Sequence, residues 1–201
     1  MGFVLKEVLS MKEICFVSSN KGKIQTMERV CLRHDIAVKP LSVELREPQS
    51  LDLREIAKEK VEQAYSIVRR PVVVQDSGFY LDEWPGYPGP FVKFITTKSY
   101  GNDMLLALVN GRNRACEFCE CLAFTDETRK VRFFESVIRG SLAFEEEKDM
   151  PDRAWSPLWK IFIPYGQTKT IAGMSDEERA LWRKTRGNQS AEKFAEWYST
   201  Q

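Results

Sequence analysis

The sequence is poor in histidine, in charge of one sign and in long apolar runs. His34 is the only histidine in 201 residues, and it falls where the first helical pattern closes, a position at a helix end or on the surface. Cys116, Cys119 and Cys121 imitate a metal cluster, but period-two alternation puts Cys119, Cys121 and Ala123 on one face of a strand. No neighbouring Cys or His completes a tetrahedral set, so a strand is expected there in preference to a zinc or iron–sulfur centre. Five cysteines, an odd number lying mostly within apolar runs, suggest reduced thiols in a cytosol-like compartment. Thirty Lys and Arg against 29 Asp and Glu leave a net charge of +1. That balance gives no electrostatic footprint for nucleic acid or an acidic membrane, so any anion site must be local. No apolar run approaches the roughly 20 residues of a membrane-spanning helix, and there is no repeat or low-complexity segment. Residues 1–10, MGFVLKEVLS, are too short an apolar stretch for a signal peptide. Lys6 stands where a myristoylation site needs Ser or Thr. We take them as an N-terminal extension, with Met11 as an alternative start, and residues 11–201 as one domain.

What is present is ordinary globular material, 43% hydrophobic and 29% charged, long enough to bury a core. The stretch Val72 to Phe94, VVVQDSGFYLDEWPGYPGPFVKF, dominates it. Three β-branched residues feed into Gln75-Asp76-Ser77-Gly78, the pattern of a buried strand presenting an acid at its carboxyl edge, where open α/β sheets bind ligands. Gly78 to Leu81 reads as a shorter strand leaving that turn. Pro85 to Pro90 crowds Pro and Gly into six positions and predicts a rigid irregular loop walling a pocket.

A second stretch, Ile14 to Lys23, reads strand, turn, helix. The apolar run Ile14 to Val17 stops at Ser18-Ser19-Asn20, and Ile24, Met27, Val30 and Cys31 then recur at spacings of three and four. Ser19 or Asn20 is a natural N-cap, and the free amides of a first helical turn attract phosphate. Around these stretches the pattern predicts a strand at 13–18, a helix at 21–33 and a parallel strand at 36–43. A helix follows from Leu51 or Asp52 to residue 68, then one at 98–109, then an antiparallel hairpin of 114–125 with 130–143.

Taken together, these stretches resemble the inosine triphosphate pyrophosphatase family, the Ham1 or RdgB-like non-canonical purine nucleoside triphosphate pyrophosphatases. Its opening motif is matched by Ser18, Asn20 and Lys23. Its central motif is matched by Asp76, Ser77, Gly78, Pro88 and Gly89. A Glu ahead of a Leu-x-x-Ile-Ala-x-x-Lys helix is matched by Glu47 before Leu53, Ile56, Ala57 and Lys60. The resemblance runs in order over residues 12 to 174. It implies an α/β fold with a mixed twisted central sheet flanked by helices, in two lobes with a cleft between them. It also places Glu47 where the family has a metal-binding carboxylate and implies a homodimer, to which the reduced thiols add a cytoplasmic location.

The C-terminal part departs from the family. Of its aromatic-Gly-aromatic-Asp-Pro motif and the Phe-x-Pro-x-Gly segment after it, only Phe162, Pro164 and Gly166 remain. The preceding residues run Ala154 to Lys160 without the Asp. Either Trp155 or Trp159 would supply the stacking face, depending on whether Pro157 or Lys160 takes the place of the family proline. The family's Lys and its Ser-His-Arg fall in a segment reading Arg179 to Arg186. Arg179 would stand in for the Lys, and Arg183, Lys184 or Arg186 for the Arg. Gln75 and Thr26 replace two family acids.

The implied chemistry is hydrolysis of a nucleoside triphosphate between its α- and β-phosphates, giving the monophosphate and pyrophosphate. A triphosphate carries about four negative charges, so neutralising them matters more than covalent chemistry. Glu47 and Asp76 would hold Mg²⁺, with Asp76 serving as or positioning the base. Ser18, Asn20 and Lys23 would bind phosphate, supported by Ser77 and the amides near Gly78. Lys93 and the Arg179 to Arg186 group would reach from the other side. The alternatives are the same chemistry on a canonical or base-modified triphosphate, or a nucleotide-binding protein impaired in turnover.

Overall fold

The computed structural model describes residues 11–98, 101–152, 154–186 and 189–201. The extension at 1–10 lies outside these residues. A seven-stranded sheet runs in the order β2 (Ile36–Leu41), β1 (Lys12–Val17), β3 (Val72–Leu81), β5 (Ala115–Thr125), β6 (Arg132–Leu142) and β7 (Phe162–Pro164), and β4 (Trp84–Gly89) pairs with β3. The sheet is mixed. β1 lies parallel to β2 and β3, while β3, β5, β6 and β7 pair antiparallel.

Alternation along the strands turns the sheet into a three-layer body. Val72, Val74, Cys121 and Ala123 point to the face covered by α2 (Leu53–Val68), whose Leu53, Ala57, Val61 and Ala64 pack on them. Val73, Leu122 and Phe124 point the other way, under Met27, Val30 and Cys31 of α1 (Lys21–Leu32) and Phe194 and Ala195 of α6 (Ser190–Ser199). A third cluster, around Phe79, Phe118, Phe162, Trp159 and Trp182, fills the second lobe beneath α5 (Asp176–Thr185). Each fully buried side chain of this size contributes about 1.5–3 kcal/mol.

The hairpin and the first two helices fall where the pattern placed them. Several boundaries do not. β2 stops at Leu41, because the polar chain after it leaves the sheet. Within the range 98–109, α4 (Gly101–Leu108) is the expected helix, residues 99 and 100 of that expectation lie outside the described residues, and a further helix, α3 (Val92–Lys98), precedes it where none was expected. Gln75 and Asp76 do not end a strand. β3 continues unbroken for ten residues because β5 pairs with it along its whole length. The Pro-Gly stretch is an irregular edge strand and not a free loop: Trp84, Pro88 and Gly89 pair with Leu81, Tyr80 and Phe79, and the register breaks between them at Pro85 to Tyr87, at an edge where missing proline N–H groups cost little.

Candidate active site

β1 ends at Val17 and touches β3 only through Cys15 and Phe16, opposite Val72 and Val73. β3 therefore runs on past it, and Asp76 is carried beyond the carboxyl end of β1. The chain leaving β1 turns at Ser18, whose Oγ accepts from the Asn20 amide at 3.2 Å. Asn20 caps α1: its Oδ1 accepts from the Lys23 amide at 3.1 Å, which decides between the two N-cap candidates. The cap aims Lys23 across the gap, and its Nζ donates to the Gln75 carbonyl at 3.1 Å. Burial pushes the Lys23 ammonium below the usual lysine range, against the pull of Asp76.

From the opposite face, α2 brings a residue the sequence reading had left out of the site. Lys60 Nζ donates at 2.8 Å to Glu47 Oε1 and at 2.8 Å to Asp76 Oδ1. Burial alone would lower this ammonium, but the attraction of Asp76 and the hydrogen bonds to both carboxylates outweigh it and raise it. The hydrogen bond from Lys60 holds Glu47 below the ordinary carboxylate range. A signal for Lys60 is present in the sequence: it lies three residues after Ala57 and four before Ala64, on the buried stripe of α2, where an unpaired charge would be costly.

These groups line a cleft of about 440 Å³ with Ser18, Asn20, Ser77, Gly78 and Lys93. The sequence-derived carboxylates and phosphate-binding residues are thus brought together. Two carboxylates alone make a small metal site, and no group of three potential ligands occurs among the described residues. They still suit Mg²⁺, which commonly takes one or two carboxylates and fills its shell with water and phosphate oxygens. The buried Oδ2 of Asp76 has no hydrogen-bond partner in the structure, an acceptor left for a cation or a water.

Phe118 and Trp155 form a wall shared between this cleft and a second cavity of about 260 Å³. Aromatic faces dominate it: Phe118, Trp155, Trp159, Phe162 and Trp182. Trp155 sits against the first turn of α1, where a Cβ on Gly22 would come within 2.4 Å of the Trp155 Cβ. Arg183 and Arg186 reach this cavity, and the Arg186 guanidinium stacks over Trp182 at 5.0 Å.

Two of the expected cations are elsewhere. Arg179 is buried and donates to the carbonyls of Ile171, Ala172 and Met174 and to Asp176, so it pins the segment entering α5 and lines neither cavity. Lys184 is on the exposed side of α5, also outside both. Besides Lys60, the sequence reading missed Glu120 and Trp182, which become neighbours of α1 only through long-range packing.

The model of the Ham1 family matches residues 14–197. A dITP/XTP pyrophosphatase of Methanopyrus kandleri is 30% identical over 187 residues, covering 92% of this chain and 96% of the relative. One from Saccharolobus solfataricus is 31% identical over 186 residues, covering 92% and 93%. Among solved structures, a HAM1 protein from Coxiella burnetii superposes with a TM-score of 0.78 at 20% identity, over 95% of this chain and all of that one. The Staphylococcus aureus Ham1 protein gives 0.74 at 20%, over 94% and 99%. These two show the fold. The match thus spans the capped helix start, the carboxylates and both lobes, and the chain belongs to the Ham1 family.

Proposed function

We propose that this chain is a Mg²⁺-dependent nucleoside triphosphate pyrophosphatase. It would hydrolyse purine triphosphates of the dITP, ITP and XTP kind to the monophosphate and pyrophosphate. The observation that carries the reading is the convergence of Lys23, Lys60, Glu47 and Asp76 on one cleft, with Asp76 Oδ2 unpartnered. The similarity to the dITP/XTP pyrophosphatases of Methanopyrus kandleri and Saccharolobus solfataricus supports the same reaction.

Glu47 and Asp76 would hold the metal, which supplies charge neutralisation at the phosphates and a more acidic water. The protein's own groups do the rest. The Asn20-capped helix start offers its amides to a phosphate oxygen, and Lys23, partly desolvated by folding, adds a positive charge at the cleft. Lys60 balances the two carboxylates and presents a donor to the polyphosphate, while Lys93 stands at the exposed side of the cleft. Asp76, nearly buried, accepts the proton of the attacking water or orients it. The aromatic cavity receives the base. The working unit would be a homodimer, as the family resemblance implies, in the cytoplasm, as the reduced thiols suggest.

Pyrophosphate release measured on a panel of triphosphates with and without Mg²⁺ tests the proposal. Asp76→Asn should lower kcat by about 100-fold or more while the protein still melts cooperatively. Near-normal turnover in that variant would overturn the assignment. A rebuilt base pocket lacking the family's His and Asp gives specific grounds for a second reading, the same chemistry on a canonical or base-modified triphosphate, and the panel separates the two by kcat/KM.

A further inference from the structure

Glu120 interrupts a row that is otherwise apolar. On β5 it alternates with Phe118 and Leu122 on the face turned toward α1 and α6, at the junction of two hydrophobic clusters. A carboxylate there is costly unless donors reach its oxygens. Oε2 is well supplied, since Ser136 Oγ on β6 and Ser190 Oγ at the start of α6 donate to it at 2.9 and 3.0 Å. Oε1 has no hydrogen-bond partner among the described residues. Two hydroxyls from different elements therefore fix the carboxylate and leave one acceptor unused.

That carboxylate lines the aromatic cavity, where Trp155 and Trp159 offer flat faces and Arg186, stacked on Trp182, brings a guanidinium. The cavity opens beside the phosphate cleft through their shared wall of Phe118 and Trp155. Flat walls, an acceptor and the guanidinium groups of Arg29, Arg183 and Arg186 match a planar heterocycle carrying a ring N–H next to a carbonyl. We propose that Glu120 is the base-reading residue of this site, accepting a hydrogen bond on Oε1 from the N1–H of a 6-oxopurine whose O6 faces the arginines. An adenine ring would turn a bare nitrogen lone pair toward the same carboxylate and be rejected. The assignment rests on the cleft being the phosphate site, and it adds the residue and the substrate atom that set the base.

The test compares inosine monophosphate with 1-methylinosine monophosphate, which lacks only that N–H, by quenching of tryptophan fluorescence. No turnover is needed. A hydrogen bond to a charged acceptor predicts a loss of affinity of about tenfold or more on methylation in the unsubstituted protein. Glu120→Gln keeps the volume, and with its one carbonyl oxygen accepting from both serines it turns an NH2 donor toward N1 in place of the acceptor, so the loss should shrink to about threefold or less. Methylation without effect on the unsubstituted protein would overturn the proposal whether or not the variant folds. An unchanged penalty in Glu120→Gln would also overturn it, since simple steric exclusion of the methyl group would then explain the loss. Selective binding without pyrophosphate release would sink the proposed activity and leave Glu120 in place; release that ignores N1 methylation would do the reverse.

Discussion

Lys60 sits between two carboxylates that would otherwise repel each other. Its own side chain and that of Asp76 are mostly buried, at 17% and 11% exposure, while Glu47 is 67% exposed. The Asp76 half of the arrangement is therefore the stronger one. Removing the ammonium in Lys60→Met should destabilise the protein by about 2 kcal/mol. Mg²⁺, by taking over the neutralisation, should then raise Tm more in the variant than in the parent. Calorimetric melts with Mg²⁺ and with a chelator check this, and equal shifts would mean the carboxylates do not hold the ion. Gly22 makes a different kind of residue-scale demand. Its missing Cβ lets Trp155 approach α1 one residue before Lys23, and because the collision is with the Trp155 Cβ, no rotamer change relieves it. Gly22→Ala should displace Trp155 from the wall between the two cavities and cut kcat/KM by tenfold or more, on the order of 1.4 kcal/mol. A shift in tryptophan emission without loss of cooperative melting would mark the effect as local.

At the scale of elements, α2 is fastened to the sheet at two places with different chemistry. Near its middle, Lys60 reaches Asp76 on β3, and near its start Arg54 makes a bidentate pair with Glu135 on β6. The hydrogen bond from Arg54 holds the Glu135 carboxyl below its ordinary value of 4.5. A lowered folded pKa means that the stabilisation is complete above 4.5 and fades as pH falls through the folded value. Both side chains are around half exposed, so solvent screens the pair and its contribution is small. Glu135→Gln should accordingly melt slightly below the parent at pH 7 and coincide with it near pH 3; a gap that widens in acid would contradict the pairing. The element scale is also where sequence reading was most informative. The Asn20 cap and the stripe of α1 are local patterns, and they were legible because a helix start is built from residues adjacent in the chain. The VVVQDSGFYL segment was legible as strand but not as one strand, since only pairing with the distant β5 keeps it extended through Gly78. α6 went unread altogether, although Phe194 is fully buried against Phe124 and Phe134.

Across the whole molecule, the proposed phosphate side was marked in the sequence by Lys23, Glu47 and Asp76, and the proposed base side only in part, through Trp155, Trp159, Arg183 and Arg186, which line the aromatic cavity. Lys23, Glu47 and Asp76 belong to segments whose types and order identify them. Glu120 and Trp182 meet only after β5, α1 and α5 have packed, and nothing in their spacing announces that meeting. Arg179 shows the same limit from the other side, because a cation in the expected segment was consumed by three carbonyls of the turn before it. The free cysteines are a global probe of the packing. Cys15, Cys31, Cys116 and Cys121 are buried, and Cys119 is partly so. Burial pushes Cys31, Cys119 and Cys121 up to about 12 and raises Cys116 further, so thiolate is scarce at neutral pH. A thiol reagent at pH 8 should modify at most one residue rapidly in the native protein and all five in denaturant. Fast reaction of three or more would contradict the three-layer packing.

The peptide neighbours Asp76 and Ser77 stand back to back, because Asp76 shares its side of the sheet with Cys121 and Ser77 shares the other with Glu120. The acid proposed to hold the metal, Asp76, and the acid proposed to read the base, Glu120, thus lie on opposite faces of one sheet. A deletion of one residue anywhere in Val72–Gln75 would not loosen the enzyme gradually. It would exchange the two assignments at once, which makes this short run of chain the place where evolution can vary side chains but not length.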